Sequence, residues 1–163
     1  MGRAFVFGDD IDTDLLAPGY AMKLPPEELA KLTLQAIDPG FAAAVRPGDV
    51  LVAGRNFGLG SSREQAAVSL RLLGLSAVIA TSFARIFWRN AINLGLPAIT
   101  LPEAGAIASG DRLEIDVAAG RVENLTQGVG YAFAPYPDHL MAMIDDGGLI
   151  PHLKRRFSQG AAA

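Results

Sequence analysis

"SAVIATSFARIFWRNAINLGLPAIT", residues 76–100, contains the pattern that decides the fold. SAVIA predicts a buried strand, and LPAIT predicts a second one. The segment between them predicts a helix that Ser82 caps and that Gly95 ends. A strand, a helix and a further strand in this order form a βαβ unit, in which the two strands run parallel.

The same alternation extends toward the N-terminus. Short apolar runs predict buried strands at 4–7 and 50–53. PPEELAKLTLQAI, residues 25–37, predicts a helix with Leu29, Leu32 and Ile37 near one face. REQAAVSLRLLG, residues 63–74, predicts an amphipathic helix that ends at Gly74 in the left-handed conformation. The sequence therefore predicts an α/β fold with a mainly parallel core sheet.

The pattern changes after Gly110. RLEIDVAAGRVEN alternates as a hairpin that turns at Ala119-Gly120, and GVGYAFAPYP predicts one more strand. A last helix is expected over 137–157, interrupted at Gly147-Gly148. We expect one domain over residues 1–157 and a disordered tail over residues 158–163.

Composition excludes several classes of protein. The chain has 163 residues, of which 50% are hydrophobic and 19% are charged, so a folded domain with a substantial core is expected. A net charge of −3 and a single basic run, Lys154-Arg155-Arg156, argue against nucleic-acid binding. We expect that run in the last turn of a helix. The apolar segments are too short for a signal peptide or a membrane span, which predicts a cytoplasmic protein.

The chain contains no cysteine and only two histidines, His139 and His152. Disulfides and any zinc or iron–sulfur site held by thiolates of this chain are therefore excluded. We expect both histidines to be solvated at the surface, and no metal site is predicted.

GRNFGLGSSREQA, residues 54–66, is the most unusual segment. Ser61 and Glu64 have the spacing of a capping box, in which the two side chains bond backbone amides at a helix start. The alternative is an anion site, because glycines before a helix let amides approach an anion and Arg63 offers a planar fork to a carboxylate. The spacing matches neither a P-loop nor a dinucleotide fingerprint nor a nucleophile elbow, so a small carboxylate is the expected ligand.

Three segments point to one family. GDDIDTDLLAPGY (8–20), GRNFGLGSSREQA (54–66) and SFARIFWRNAINLGLP (82–97) closely resemble the small subunits of 3-isopropylmalate dehydratase. These subunits are the swivel domain of the aconitase superfamily. The ending DDGGLIPHLKRR is similar as well, so the resemblance covers nearly the whole chain. The fold that it implies is a three-layer β/β/α swivelling domain.

The resemblance implies a reaction and a partner. The reaction is dehydration and rehydration of a hydroxy di- or tricarboxylate, as in 2-isopropylmalate to 3-isopropylmalate in leucine biosynthesis. A large subunit, in a heterodimer or heterotetramer, would carry a [4Fe–4S] cluster that binds the substrate. No cofactor is expected in this chain itself.

The resemblance also implies roles for single residues. Ser61 corresponds to the serine that removes a proton from the carbon beside a carboxylate. Ser62 and Arg63 correspond to contacts with substrate carboxylates. Thr13 and Asp14 correspond to a Thr-Asp pair at the site and are likewise expected to bind substrate. Asp14 has an alternative role as a turn residue that bonds its own backbone. For the pair Arg85 and Arg89 we favour a structural role over substrate contact.

One position departs from the family, and one four-residue segment corresponds to a loop that varies within it. Leu59 stands where the family usually has cysteine, although that cysteine does not bind the cluster. The segment Tyr20-Ala21-Met22-Lys23 corresponds to the loop to which substrate choice is attributed. Its apolar members favour an alkyl-substituted malate, because methionine adapts to irregular apolar groups. Lys23 reaches either a distal carboxylate or solvent.

Other functions remain open at this point. A related hydratase of the homoaconitate, citraconate or dimethylmalate type would use the same motifs. A stand-alone carboxylate-binding module would use the glycine loop without chemistry. A catalytically idle relative is the third possibility, and the retained Ser61 and Arg63 argue against it.

Overall fold

The computed structural model of the protein describes residues 1–160. Within them, seven strands form one sheet in the spatial order β4-β3-β2-β1-β5-β6-β7. The strands are β1 (Gly2–Val6), β2 (Val50–Ala53), β3 (Ala77–Ala80), β4 (Ala98–Thr100), β5 (Arg112–Asp116), β6 (Arg121–Asn124) and β7 (Val129–Ala132).

The sheet has a parallel half and an antiparallel half. Strands β1 to β4 pair in parallel, and each of β2 and β3 is buried along its whole length. Strand β5 pairs antiparallel with β1, and β6 and β7 continue that arrangement. This topology confirms the predicted parallel core, the hairpin that turns at Ala119-Gly120 and the strand that follows it.

The helices connect the strands and follow the last one. They are α1 (Thr13–Leu16), α2 (Pro26–Ala30), α3 (Phe41–Ala44), α4 (Gln65–Leu72), α5 (Arg85–Asn93), α6 (Asp138–Asp145) and α7 (Leu149–Gly160). Two 3-10 turns, Gly19–Ala21 and Pro102–Ala106, complete the regular structure.

Apolar side chains pack on both faces of the parallel strands. Leu51 and Val78 point to the face that helices α1 to α5 cover, where Phe41 lies fully buried. Val50 and Ile79 point to the opposite face, where Leu113 of the curled antiparallel half packs against them. Alternation along each strand thus produces two apolar layers. The order of layers is strand, strand and helix, as the resemblance implies.

The helix predicted over residues 25–37 is much shorter than expected. It covers Pro26–Ala30, and the chain then continues in turns. Leu34 has a left-handed backbone (φ 59°), and its amide donates to the Leu15 carbonyl at 2.8 Å. Ile37 is half-exposed rather than packed with Leu29. The bond to Leu15 turns the chain away from the helical path that the local pattern predicts.

Helix ends follow the glycine predictions but not the serine prediction. Gly74 (φ 88°) and Gly95 (φ 71°) end α4 and α5 in the left-handed region, as expected. The prediction that Ser82 caps α5 is wrong, because the helix begins at Arg85 without a side-chain cap. The Ser82 hydroxyl instead accepts a 2.9 Å hydrogen bond from the Asn56 amide.

The C-terminal helix is broken at Gly147-Gly148, as predicted. Helix α7 continues through residues 158–160, where a disordered tail was expected, so the basic run lies before the last turn. The rest of that predicted tail, 161–163, lies outside the described residues. Within residues 1–160, every helix is too short or too polar to cross a membrane.

The two histidines differ. His139 is exposed, as predicted, whereas His152 is partly buried. The Nδ1 atom of His152 lies 2.7 Å from Asp146 Oδ2, and Arg155 pairs with the other oxygen of that carboxylate. Asp146 thus joins α7 to the end of α6, which explains why His152 is not solvated.

Candidate active site

The loops after β1, β2 and β3 meet at one edge of the sheet. Because these strands are parallel, their carboxyl ends share that edge, where α/β proteins bind ligands. The Gly58 amide donates to the Ile11 carbonyl at 2.7 Å, and the Phe57 amide donates to the Ser82 carbonyl at 3.0 Å. The glycine loop is therefore fastened to both of its neighbours.

Two glycines in this loop permit close packing. Gly58 (φ 79°) faces Phe87, and a Cβ atom on it would lie 2.2 Å from that ring. Gly60 (φ 110°) faces Thr13, and a Cβ atom on it would lie 2.9 Å from the Thr13 hydroxyl. Positive φ and close approach both require glycine at these positions.

Ser61 and Thr13 form the first contact of the site. The Ser61 amide donates to Thr13 Oγ1 at 3.0 Å, and the two hydroxyl oxygens lie 3.2 Å apart. Thr13 is 3% exposed, whereas Ser61 is exposed to solvent. The capping-box prediction is wrong. Helix α4 begins at Gln65 without a side-chain cap, and the Ser61 amide takes Thr13 as its acceptor instead of Glu64.

Arg63 and Asp14 form the second contact. Nη1 of Arg63 donates to Asp14 Oδ1 at 2.9 Å and to the Ala17 carbonyl at 2.8 Å. The Gly19 amide donates to the same Asp14 oxygen at 2.8 Å. The Arg63 hydrogen bond, followed by that of Gly19, holds the pKa of the Asp14 carboxyl below its ordinary value. Asp14 thus bonds the backbone of the turn that follows α1 and also pairs with Arg63, and its role in a substrate site stays a prediction.

Ser62 lies beside these contacts and is exposed. Its carbonyl accepts a 3.4 Å hydrogen bond from Asn90 Nδ2, which connects the loop to α5. Arg85 and Arg89 lie exposed on the same helix and form no ion pair within residues 1–160, so the structural role expected for them stays a prediction.

The segment expected to select the substrate divides between surface and core. Tyr20 is 79% exposed and Lys23 is exposed, whereas Ala21 is 1% exposed and packs in the core. Met22 is partly buried and lines a cavity of about 320 Å³ with Leu24, Leu29, Val68 and Ser69. Tyr20, Met22 and Lys23 are thus available to a ligand, and Ala21 is a core residue.

Leu59 contributes to the site through its backbone. Its carbonyl accepts a 2.8 Å hydrogen bond from the Thr13 amide, and Asp12 and Leu59 form a parallel bridge. Leucine and cysteine supply these backbone groups alike, so the departure from the family leaves the contact in place.

Two residues that the sequence patterns do not single out shape the loops. Asp12 caps α1 by accepting a 2.8 Å bond from the Leu15 amide. Asn56 (φ 58°) donates from Nδ2 to Asp10 Oδ1 at 2.8 Å, and Asp10 is also left-handed (φ 57°). Aspartate is favoured at N-caps, and asparagine and aspartate are favoured in left-handed backbone. These preferences are the sequence signal for Asp12 as a cap and for Asn56 and Asp10 as left-handed residues.

The described residues do not suit an iron–sulfur cluster. The sequence contains no cysteine. Within residues 1–160, no three histidine, aspartate or glutamate side chains come together as metal ligands. The cluster that the resemblance implies would take its ligands from another chain.

Comparison with known proteins extends these observations. Residues 35–104 match the family described as the aconitase C-terminal domain. The 3-isopropylmalate dehydratase small subunit of Methanosarcina acetivorans is 47% identical over 159 residues, which cover 97% of this chain and 98% of that protein. The chain belongs to the 3-isopropylmalate dehydratase small-subunit family. The resemblance seen in the sequence is thereby confirmed.

Other members of the small-subunit family match equally well. The small subunit 1 of Thermotoga maritima is 48% identical, with 96% of each chain covered. The methanogen homoaconitase small subunit of Methanothermobacter thermautotrophicus is 47% identical, over 98% of this chain and 93% of that protein. The crystal structure of 3-isopropylmalate dehydratase (leuD) from Methanocaldococcus jannaschii has a TM-score of 0.91 and 41% identity, and covers 99% of this chain and 98% of that one. Fold and family are therefore shared over the full length.

Proposed function

We propose that this chain is the small subunit of a hydro-lyase that interconverts 2-isopropylmalate and 3-isopropylmalate by dehydration and rehydration, a step of leucine biosynthesis. Its partner is a large iron–sulfur subunit, in a heterodimer or heterotetramer. The observation that carries the proposal is that Ser61, an exposed hydroxyl, and Arg63, an oriented cation, lie on one loop at the carboxyl edge of the parallel sheet.

Ser61 is the proposed base. Dehydration removes a proton from the carbon beside a carboxylate, the electron pair of that C–H bond forms a double bond, and the hydroxyl leaves the adjacent carbon. Ser61 Oγ takes the proton in this direction and returns it in the reverse direction. A serine hydroxyl is a weak base unless donors stabilise its ionised form. The Thr13 hydroxyl lies 3.2 Å from Ser61 Oγ, and the backbone amide of Arg63 donates to the same Ser61 oxygen at 3.4 Å.

Arg63 is the proposed carboxylate ligand. Within the described residues, only its Nη1 atom donates hydrogen bonds, to the Asp14 carboxylate and the Ala17 carbonyl. Nε and Nη2 therefore present a free edge to which a substrate carboxylate can bind with two parallel hydrogen bonds. Ser62 precedes Arg63 in the sequence and is exposed, and its hydroxyl is the proposed second contact with the substrate carboxylate.

The large subunit completes the site. Its [4Fe–4S] cluster supplies a Lewis acid that binds the substrate and weakens the bond to the leaving hydroxyl. The side chains of this chain bind the carboxylate and move the proton. Because Ser61 is open to solvent here, the partner also has to exclude water from the base.

A homoaconitate-type substrate is the second candidate. One relative at 47% identity is named a methanogen homoaconitase small subunit. The exposed Lys23, in the segment attributed to substrate choice, would pair with the additional carboxylate of such a substrate.

The test is anaerobic co-expression of this tagged chain with the large subunit of the same organism. Iron and sulfide are measured in the purified complex, and conversion of 2-isopropylmalate and homoaconitate is followed in parallel. We expect a cluster-containing complex that converts 2-isopropylmalate. Turnover of homoaconitate alone would select the second candidate, and a cluster-loaded complex without either activity would contradict the proposal.

A further inference from the structure

We propose that Thr13 is a positioning residue that orients the Ser61 hydroxyl and favours its ionised form. This inference rests on the proposed function, in which Ser61 is the base. It differs from the direct substrate contact that the family resemblance implies for Thr13. The contact between the two residues spans 48 positions of the sequence.

The assignment of donors and acceptors carries the argument. The Ser61 amide can only donate, so Thr13 Oγ1 is the acceptor of their 3.0 Å hydrogen bond. The Thr13 hydroxyl keeps its own proton, and Ser61 Oγ lies 3.2 Å away. An ionised Ser61 oxygen can only accept, so Thr13 must then donate to it. Hydrogen bonds to an ionised acceptor are about twice as strong as neutral ones, so this contact favours the ionised form.

Thr13 is fixed in place from several sides. It is the first residue of α1, which Asp12 caps, and its amide donates to the Leu59 carbonyl at 2.8 Å. Gly60 lacks the Cβ atom that would lie 2.9 Å from Thr13 Oγ1. β-Branching further restricts the χ1 angle of threonine. The hydroxyl is therefore held toward Ser61 without rearrangement.

Burial separates a positioning role from substrate contact. Thr13 is 3% exposed, whereas Ser61, whose hydroxyl lies 3.2 Å from that of Thr13, is exposed to solvent. A substrate that meets Ser61 from the open side does not reach Thr13. The influence of Thr13 on the reaction therefore passes through Ser61.

The first test uses the complex with the large subunit and two variants of Thr13. Thr13→Val keeps the shape and removes the hydroxyl, and we expect kcat to fall on the order of 100-fold with KM unchanged. Thr13→Ser keeps the hydroxyl and should retain kcat within about threefold. A raised KM at unchanged kcat would instead make Thr13 a substrate contact. A Thr13→Ser variant as slow as Thr13→Val would assign the effect to packing of the methyl group.

The second test does not depend on turnover. The full chain alone is treated with a fluorophosphonate, and the modification rates of Ser61 and Ser62 are compared by mass spectrometry of the peptide. Both serines are exposed, but only Ser61 touches Thr13. We expect Ser61 to be modified faster than Ser62. The ratio of the Ser61 rate to the Ser62 rate should fall about tenfold in Thr13→Val and recover in Thr13→Ser. The same ratio in wild type and Thr13→Val would overturn the inference.

The two tests separate this inference from the proposed function. A complex that converts neither substrate, while the serine ratio still depends on Thr13, contradicts the function and supports the positioning role. An active complex in which Thr13→Val changes neither kcat nor the serine ratio leaves the function standing and refutes the positioning role.

Discussion

The Arg63 guanidinium donates to the Asp14 carboxylate over 2.9 Å, and Asp14 on α1 and Arg63 before α4 both belong to connections that follow parallel strands. The same nitrogen bonds the Ala17 carbonyl at 2.8 Å. Two acceptors on one nitrogen fix the plane of the guanidinium. Asp14 therefore helps to fix the orientation of Arg63, the proposed carboxylate ligand.

Replacing Asp14 by asparagine should weaken substrate binding more than turnover. Asparagine preserves shape but exchanges a charge-assisted hydrogen bond for a neutral one, so the orientation of Arg63 becomes less fixed. We expect KM to rise about three- to tenfold with a small change in kcat, measured by steady-state kinetics of the complex. Asp38→Asn is the control, because the partly buried Asp38 side chain accepts, within the described residues, only from the Gly40 amide. Equal KM values in the two variants would remove Asp14 from the binding site.

Replacing Ser61 by alanine should abolish turnover and leave assembly intact. We expect kcat to fall by about 1,000-fold or more, because no other hydroxyl replaces the proposed base. Ser61 is exposed, so its loss should change little in the core of the chain. Ser62→Ala is the matched control, and its main expected effect is on KM. Activity that survives Ser61→Ala would limit Ser61 to a structural role in the loop.

Adding a methyl group at Gly60 should disturb the contact between Thr13 and Ser61. A Cβ atom there lies 2.9 Å from Thr13 Oγ1, so Gly60→Ala should lower both kcat and stability. Gly110→Ala is the control, because Gly110 also has positive φ (91°) but nothing within 4 Å of its Cβ position. The control should lose about 1 kcal/mol of stability and keep its kcat. Equal kcat in the two variants would contradict the tight fit at Gly60.

Asp111 should contribute stability that depends on pH. One oxygen of this buried carboxylate accepts bonds from Asn124 Nδ2 (2.7 Å), the Ala108 amide (2.9 Å) and Gln127 Nε2 (2.6 Å). Hydrogen bonding, with Asn124 the largest cause, holds the pKa of Asp111 below its ordinary value. A lowered pKa stabilises the fold above the unfolded-state value of about 3.9, and that stabilisation is lost as pH falls below it.

Asp111→Asn should accordingly be less stable than wild type at pH 7, with a smaller difference at about pH 3. Chemical denaturation can be followed by the fluorescence of Trp88, the only tryptophan, whose Nε1 bonds the Ala98 carbonyl at 2.9 Å. Asp145→Asn, at an exposed position, is the control and should match wild type at both pH values. If Asp111→Asn loses the same free energy of unfolding at both pH values, the lowered pKa of Asp111 is contradicted.

The sequence predicted the parallel core because its signals there are local. Continuous apolar runs become strands buried on both faces, as at β2 and β3. Glycines after amphipathic segments become left-handed helix ends, as at Gly74 and Gly95. Neither feature depends on a distant part of the chain.

Three of the predictions that failed did so at long-range hydrogen bonds. The Leu34 amide bonds the Leu15 carbonyl and ends a helix early. The Ser82 hydroxyl accepts from the Asn56 amide instead of capping α5, and the Ser61 amide bonds Thr13 instead of Glu64. Local spacing carries no information about partners that the fold brings together from other loops.

The candidate site was named from its family motifs, and the structure adds the contacts within it. Thr13, Asp14, Ser61 and Arg63 form two bonded pairs that no spacing in the sequence predicts. Ala21 belongs to the core, although it lies between two exposed members of the expected selection segment. Burial of single residues in an irregular segment depends on packing that only the folded chain defines.

The exposed position of Ser61 has a consequence for the proposed function, namely that the rate would depend on protein concentration. Water solvates an exposed hydroxyl and protonates its ionised form, so the proposed base would act only in chains that a partner covers. Well below the dissociation constant of the subunits, the amount of complex follows the product of their concentrations. Twofold dilution of both subunits should then lower the activity per unit volume about fourfold. In that range, a shortage of either subunit lowers the flux in proportion to the concentration of that subunit.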